Sequence, residues 1–80
     1  MMPYIKPQFR QAVRQTGPET PGELNYLITL LVQAYIEQRG ESYQAYNDAM
    51  GALESAKLEL YRRKIAPYED RKIQENGDVY

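Results

Sequence analysis

Thr20-Pro21-Gly22-Glu23-Leu24-Asn25-Tyr26 is the stretch on which the fold turns. A threonine three residues ahead of a glutamate can accept the amide N–H of Glu23, while the Glu23 side chain reaches back over the helix start. Pro21 suits the first helical position, where its missing N–H costs nothing. The spacing therefore predicts a helix beginning at residue 21. Downstream, Leu24, Leu27, Ile28, Leu31, Ala34 and Tyr35 recur at helical intervals, and Arg39-Gly40 supplies a cationic last turn and an αL stop. The helix is expected over 21–39. Leu30, Val32 and Ile36 fall outside that stripe, so the helix is apolar on more than one side and needs more than one neighbour.

Gly40-Glu41-Ser42 is a short connection with an N-cap candidate at Ser42, which predicts a second helix over 43–65 folded back on the first as an antiparallel hairpin. Tyr46, Met50, Leu53, Ala56 and Leu60 form one stripe on it; Glu54, Leu58, Tyr61 and Ile65 form another. Gly51, among Ala49, Ala52 and Ala56, reads either as a site of close helix approach or as a weak point in the helix. Pro67 disfavours helical geometry at Ala66, so a kink or break is expected there, followed by a short helix over 67–75 and a tail over 76–80. Upstream, Pro7 can open a short helix over 7–15 that pairs Phe9 with Val13. No stretch alternates with period two. The expectation is a single all-α domain: an antiparallel helical hairpin with short N- and C-terminal helices, assembled as a homo-oligomer.

Composition narrows the chemistry. The 80 residues include no cysteine and no histidine, which removes disulfides, thiolate metal sites and the commonest general base. Ser42, Ser55 and the threonines then have nothing to activate them, so no enzyme and no cofactor are expected. Ten cations against eleven anions leave a net charge of -1, which disfavours nucleic acid as a partner. No run is long and apolar enough for a membrane span, and residues 1–6 lack the apolar core of a secretion signal, so a cytoplasmic location is expected. Fifteen Leu, Ile and Val residues plus Phe9 are few for 80 positions, so the eight tyrosines are expected to supply much of the packing.

Three groups of residues could form a ligand site. Lys6, Arg10 and Arg14 are spaced i, i+4, i+8, which places three cations on one face if the segment is helical; a solvated charged face is the plainer alternative. Arg62 and Arg63, with Lys64, close the long helix, where cations oppose the negative end of the helix dipole and can also fork onto phosphate. Tyr43, Tyr46 and Asn47, with Tyr26 on the preceding helix, offer rings and an amide of the kind that stack on a base; packing is the plainer alternative here too. Tyr68-Glu69-Asp70-Arg71-Lys72 and Glu75-Asn76-Gly77-Asp78 hold four carboxylates, but the second stretch lacks the alternating ligand spacing and terminal Glu of a calcium loop, so no metal is expected.

Met2-Pro3-Tyr4-Ile5-Lys6-Pro7, Thr20 through Tyr26, Leu60-Tyr61-Arg62-Arg63, Ala66-Pro67-Tyr68-Glu69-Asp70 and Glu75-Asn76-Gly77-Asp78-Val79-Tyr80 together resemble an uncharacterised family of small bacterial and phage proteins. The resemblance spans nearly the whole chain and implies no activity. Met1 precedes the family's usual start, and the closing motif suggests a tail that docks through Tyr80. In size and architecture alone the chain is also similar to small helical phage proteins that sequester nucleotide signals of bacterial immunity. The leading expectation is thus a non-enzymatic protein that sequesters an anionic nucleotide-type ligand at its subunit interfaces. The alternatives are a helical adaptor or inhibitor of a host protein, and a structural oligomer.

Overall fold

The computed structural model describes residues 5–80; the Met2 to Tyr4 part of the opening motif, and the question of the first residue, lie outside them. Among the described residues every regular element is helical. A 3-10 turn, Pro7–Phe9, leads into α1, Arg10–Thr16; α2 is Pro21–Arg39 and α3 is Tyr43–Leu60. A π turn, Tyr61–Ile65, then passes directly into α4, Ala66–Asn76. The chain divides into two compact units, Met1–Tyr46 and Asn47–Tyr80.

In the first unit, α2 starts where its cap dictates. Thr20 is extended (φ -132°, ψ 160°) and its hydroxyl accepts from the Glu23 amide at 3.1 Å. The Glu23 carboxylate reaches back one residue further than a standard capping box, taking the Glu19 amide at 2.9 Å. Gly40 ends the helix with its amide on the Ile36 carbonyl at 2.9 Å, but with φ 91° and ψ 135°. That is an extended left-handed geometry in place of the expected αL, and it is still glycine's alone. The Ser42 hydroxyl caps α3 by accepting from the Ala45 amide at 3.0 Å.

α1 packs against α2. Val13 on α1 and Tyr26 on α2 are 4% and 8% exposed. The expected apolar stripe of α2 is not the covered side: Leu24, Ile28, Leu31 and Ala34 are exposed, while Leu27, Leu30, Val32, Tyr35 and Ile36 are half-buried. α1 is seven residues long, with one buried side chain, and has little to cover a helix with. Phe9, expected beside Val13, is more than half exposed because the 3-10 turn ends on it, ahead of α1. The core among the described residues is Val13, Tyr26, Ala45 and Ala49, so Tyr26 is its single tyrosine.

In the second unit, the expected break at Ala66 is absent. Ala66 is helical (φ -59°, ψ -46°), and its amide donates to the Tyr61 carbonyl, five residues back. Pro67 has no N–H, and its ring crowds the carbonyl four residues earlier; widening one turn relieves the clash without ending the helix. Helical backbone therefore runs from Tyr43 to Asn76. It stops at Gly77 (φ 85°, ψ 154°), whose amide bonds the Ile73 carbonyl at 2.8 Å. Ala49 is the one buried residue of this unit.

Candidate binding surfaces

Lys6 precedes the helical segment with ψ 139°, and the 3-10 turn separates it from α1. The three-cation stripe is therefore interrupted: only Arg10 and Arg14 share a helix face. The Arg10 Nε donates to the Ile5 carbonyl at 3.0 Å, a tie to its own chain. Arg14 lies over the Tyr26 ring, 5.9 Å from its centre. This is a cation–π contact that joins α1 to α2. It brings together two residues singled out from sequence, but with the Tyr26 ring buried it serves packing.

Tyr43 stands 83% exposed at the start of α3 and makes no ring–cation contact among the described residues. The Tyr46 hydroxyl donates to the Glu41 carboxylate. That hydrogen bond, with burial and the nearby negative charge, raises the Tyr46 pKa above 10.0. Asn47 is exposed.

Arg62 and Arg63 both turn to Glu59, at 3.1 and 2.7 Å, and the three side chains are at least half exposed. These are in-helix pairs at i, i+3 and i, i+4, worth a few tenths of a kcal/mol each, about 0.3–0.5. Their cationic charge is partly spent on the chain itself. Lys64 beside them makes no ion pair among the described residues.

Two features of the second unit lie outside the sequence expectations. Tyr68, half exposed, is flanked by Arg71 and Lys72, at 5.7 and 5.5 Å from its ring centre. The i, i+3 and i, i+4 spacing of Tyr68, Arg71 and Lys72 is the signal that the sequence carries for this cluster. An open groove of about 630 Å³ lies along α4 and the tail, lined by Tyr61, Glu69, Lys72, Ile73, Val79 and Tyr80 among others. Across it the Tyr61 hydroxyl donates to Glu69 Oε1 at 2.9 Å, which raises the Tyr61 pKa above 10.0; the charges of Glu69 and Asp70 and slight burial act the same way. Among the described residues the tail does not dock on its own chain: Val79 and Tyr80 are almost wholly exposed, and the Tyr80 amide bonds Asp78 Oδ1 at 2.9 Å.

The second unit also exposes many apolar side chains. From α3 to α4, Met50, Leu53, Leu58, Leu60, Tyr61, Ile65, Tyr68 and Ile73 are all exposed. No helix among the described residues is long and apolar enough to cross a membrane.

The profile of a family described as Domain of unknown function (DUF6899) matches residues 2–79, and the chain belongs to that family. No curated protein and no solved structure matches.

Proposed function

We propose that this family member is a non-enzymatic helical binding protein, of bacterial or phage origin and acting in the cytoplasm, that works by presenting helix faces to other protein chains. The observation that carries this reading is the exposed apolar row Met50, Leu53, Leu60, Ile65 and Tyr68, on a helix whose own unit contains no second element to cover it. An exposed apolar row on a helix marks an interaction site in soluble proteins. The proposal includes the antiparallel pairing of α2 with α3 that their three-residue connection favours, and assembly as a homo-oligomer. A host protein bound as adaptor or inhibitor is the partner class that fits an exposed helix face.

The second reading, sequestration of a nucleotide-type anion at a subunit interface, is favoured by the exposed Tyr68 ring with Arg71 and Lys72 beside it. It is weakened by the engagement of Arg62 and Arg63 with Glu59. Melting the protein against a panel of nucleotides and cyclic oligonucleotides separates the two. A ligand at 100 times its Kd adds about 2.7 kcal/mol, several degrees in Tm for a chain of this size. The protein-binding reading expects no shift; a shift abolished by Arg71→Ala would replace it with the ligand reading.

A further inference from the structure

The π turn changes which residues share a side of the second unit. A π turn is an α-helix carrying one extra residue, so the pattern of three and four breaks once and then resumes in a new phase. Before it, Met50, Leu53, Lys57 and Leu60 follow one another at +3, +4 and +3. Across the turn the next position on that side is Ile65, five residues on, and the pattern resumes with Tyr68 and Lys72. Without the extra residue it would fall on Lys64. The result is one seam, Met50, Leu53, Leu60, Ile65 and Tyr68, with a lysine at Lys57 and again at Lys72.

Seams of this spacing pack against another helix, knobs into holes. Every apolar member is exposed. The flanks of the seam differ in sign. On one side, next to Ile65 and Lys72, stand Lys64 and Arg71; on the other, next to Leu53 and Tyr68, stand Glu54 and Glu69.

The geometry points to a second copy of this chain as the occupant, paired in parallel along the seam so that Lys64 of each chain meets Glu69 of the other. This rests on the protein-binding reading and gives that surface its partner. Two considerations select it. A helix of this composition owes most of its stability to packing, and no element of the second unit covers the seam, so a cover that is present whenever the chain folds suits it best. Another copy always is. In a parallel pair the cationic flank of one helix faces the acidic flank of its twin, whereas in an antiparallel pair like flanks meet. The two seam lysines disfavour higher assemblies, in which they would be more deeply enclosed.

Sedimentation of the full chain at micromolar concentration tests this. The wild type is expected as a dimer. Lys64→Glu and Glu69→Lys should each raise the dimer dissociation constant about tenfold, since two attractive pairs become repulsive. Mixing the two variants in equal amounts should restore wild-type affinity, as should the double variant. Leu60→Lys should give monomer, and Leu58→Lys, on the opposite side, should leave the dimer intact. Failure of the mixture to recover, or a dimer indifferent to Leu60→Lys, overturns parallel pairing along this seam. A wild-type monomer overturns it too, and an apolar fluorescent dye then sorts the consequence. Dye binding leaves the face open to a different protein and keeps the protein-binding reading; no dye binding removes both.

Discussion

The Ala66 amide donates to the Tyr61 carbonyl, an i to i-5 bond that lets Pro67 sit inside a continuous helix. An interior proline ordinarily costs about 3 kcal/mol through its lost N–H and its clash with the carbonyl four residues back. The wider turn moves that carbonyl aside. It also places Ile65 on the side of Leu60, so one residue governs both the helix's continuity and the direction its apolar side chains face.

Pro67→Ala should therefore let the turn tighten to regular α geometry. The helix is expected to gain between about 1 and 3 kcal/mol of local stability, less than the full cost of an unrelieved proline. Amide hydrogen exchange in Tyr61–Ile65 should slow accordingly. Self-association should weaken in the same variant, because Ile65 and Tyr68 rotate out of line with Leu60. Faster exchange, or tighter dimers, would contradict this account of the turn.

Gly51 sits mid-helix in α3, and a Cβ built there meets nothing within 4 Å. The reading of Gly51 as a close-approach site finds no neighbour among the described residues. Gly51→Ala should stabilise the chain by about 0.5–1 kcal/mol through helix propensity, read as a rise in the denaturant midpoint. Destabilisation would mean that another backbone approaches here in the assembled protein.

Thr20→Ala removes the hydroxyl that holds the Glu23 amide. The expected loss is about 1 kcal/mol, which lowers Tm by roughly 4–8 °C for a domain of this size. Glu59→Ala, by contrast, removes two exposed ion pairs and should change stability by no more than about 0.5 kcal/mol, with the effect vanishing in high salt.

Tyr46 and Tyr61 donate to carboxylates, so both titrate above their ordinary 10.0. A raised phenol pKa means that folding favours the neutral form. The stabilisation is complete below the unfolded value of 10.0 and is lost as pH climbs through the higher folded value. Ultraviolet titration should show two tyrosines ionising late. Glu41→Gln should return Tyr46 to the ordinary range and Glu69→Gln should do so for Tyr61; an unchanged curve in either variant refutes that bond.

The proposed surfaces were legible to different degrees. The apolar stripe through Met50, Leu53 and Leu60 follows from local spacing, and so does the closing cationic cluster. That Arg62 and Arg63 turn back onto Glu59 depends on rotamers, which spacing permits without selecting. Arg14 and Tyr26 lie twelve residues apart, and only the packing of α1 on α2 joins them.

What the sequence determined alone was everything set within one helical turn: the start of α2 at Thr20, its end at Gly40, the cap of α3 at Ser42 and the stop at Gly77. Each is a short-range hydrogen bond or a backbone conformation open to one residue type. Tertiary structure decided which side of α2 is covered, bringing Tyr26 inward and leaving Leu24 and Leu31 exposed, because that choice depends on where α1 packs. At Pro67 the backbone itself decided: local preference argues for a break, but a turn one residue wider relieves the proline clash and keeps the helix hydrogen-bonded, the Ala66 amide on the Tyr61 carbonyl.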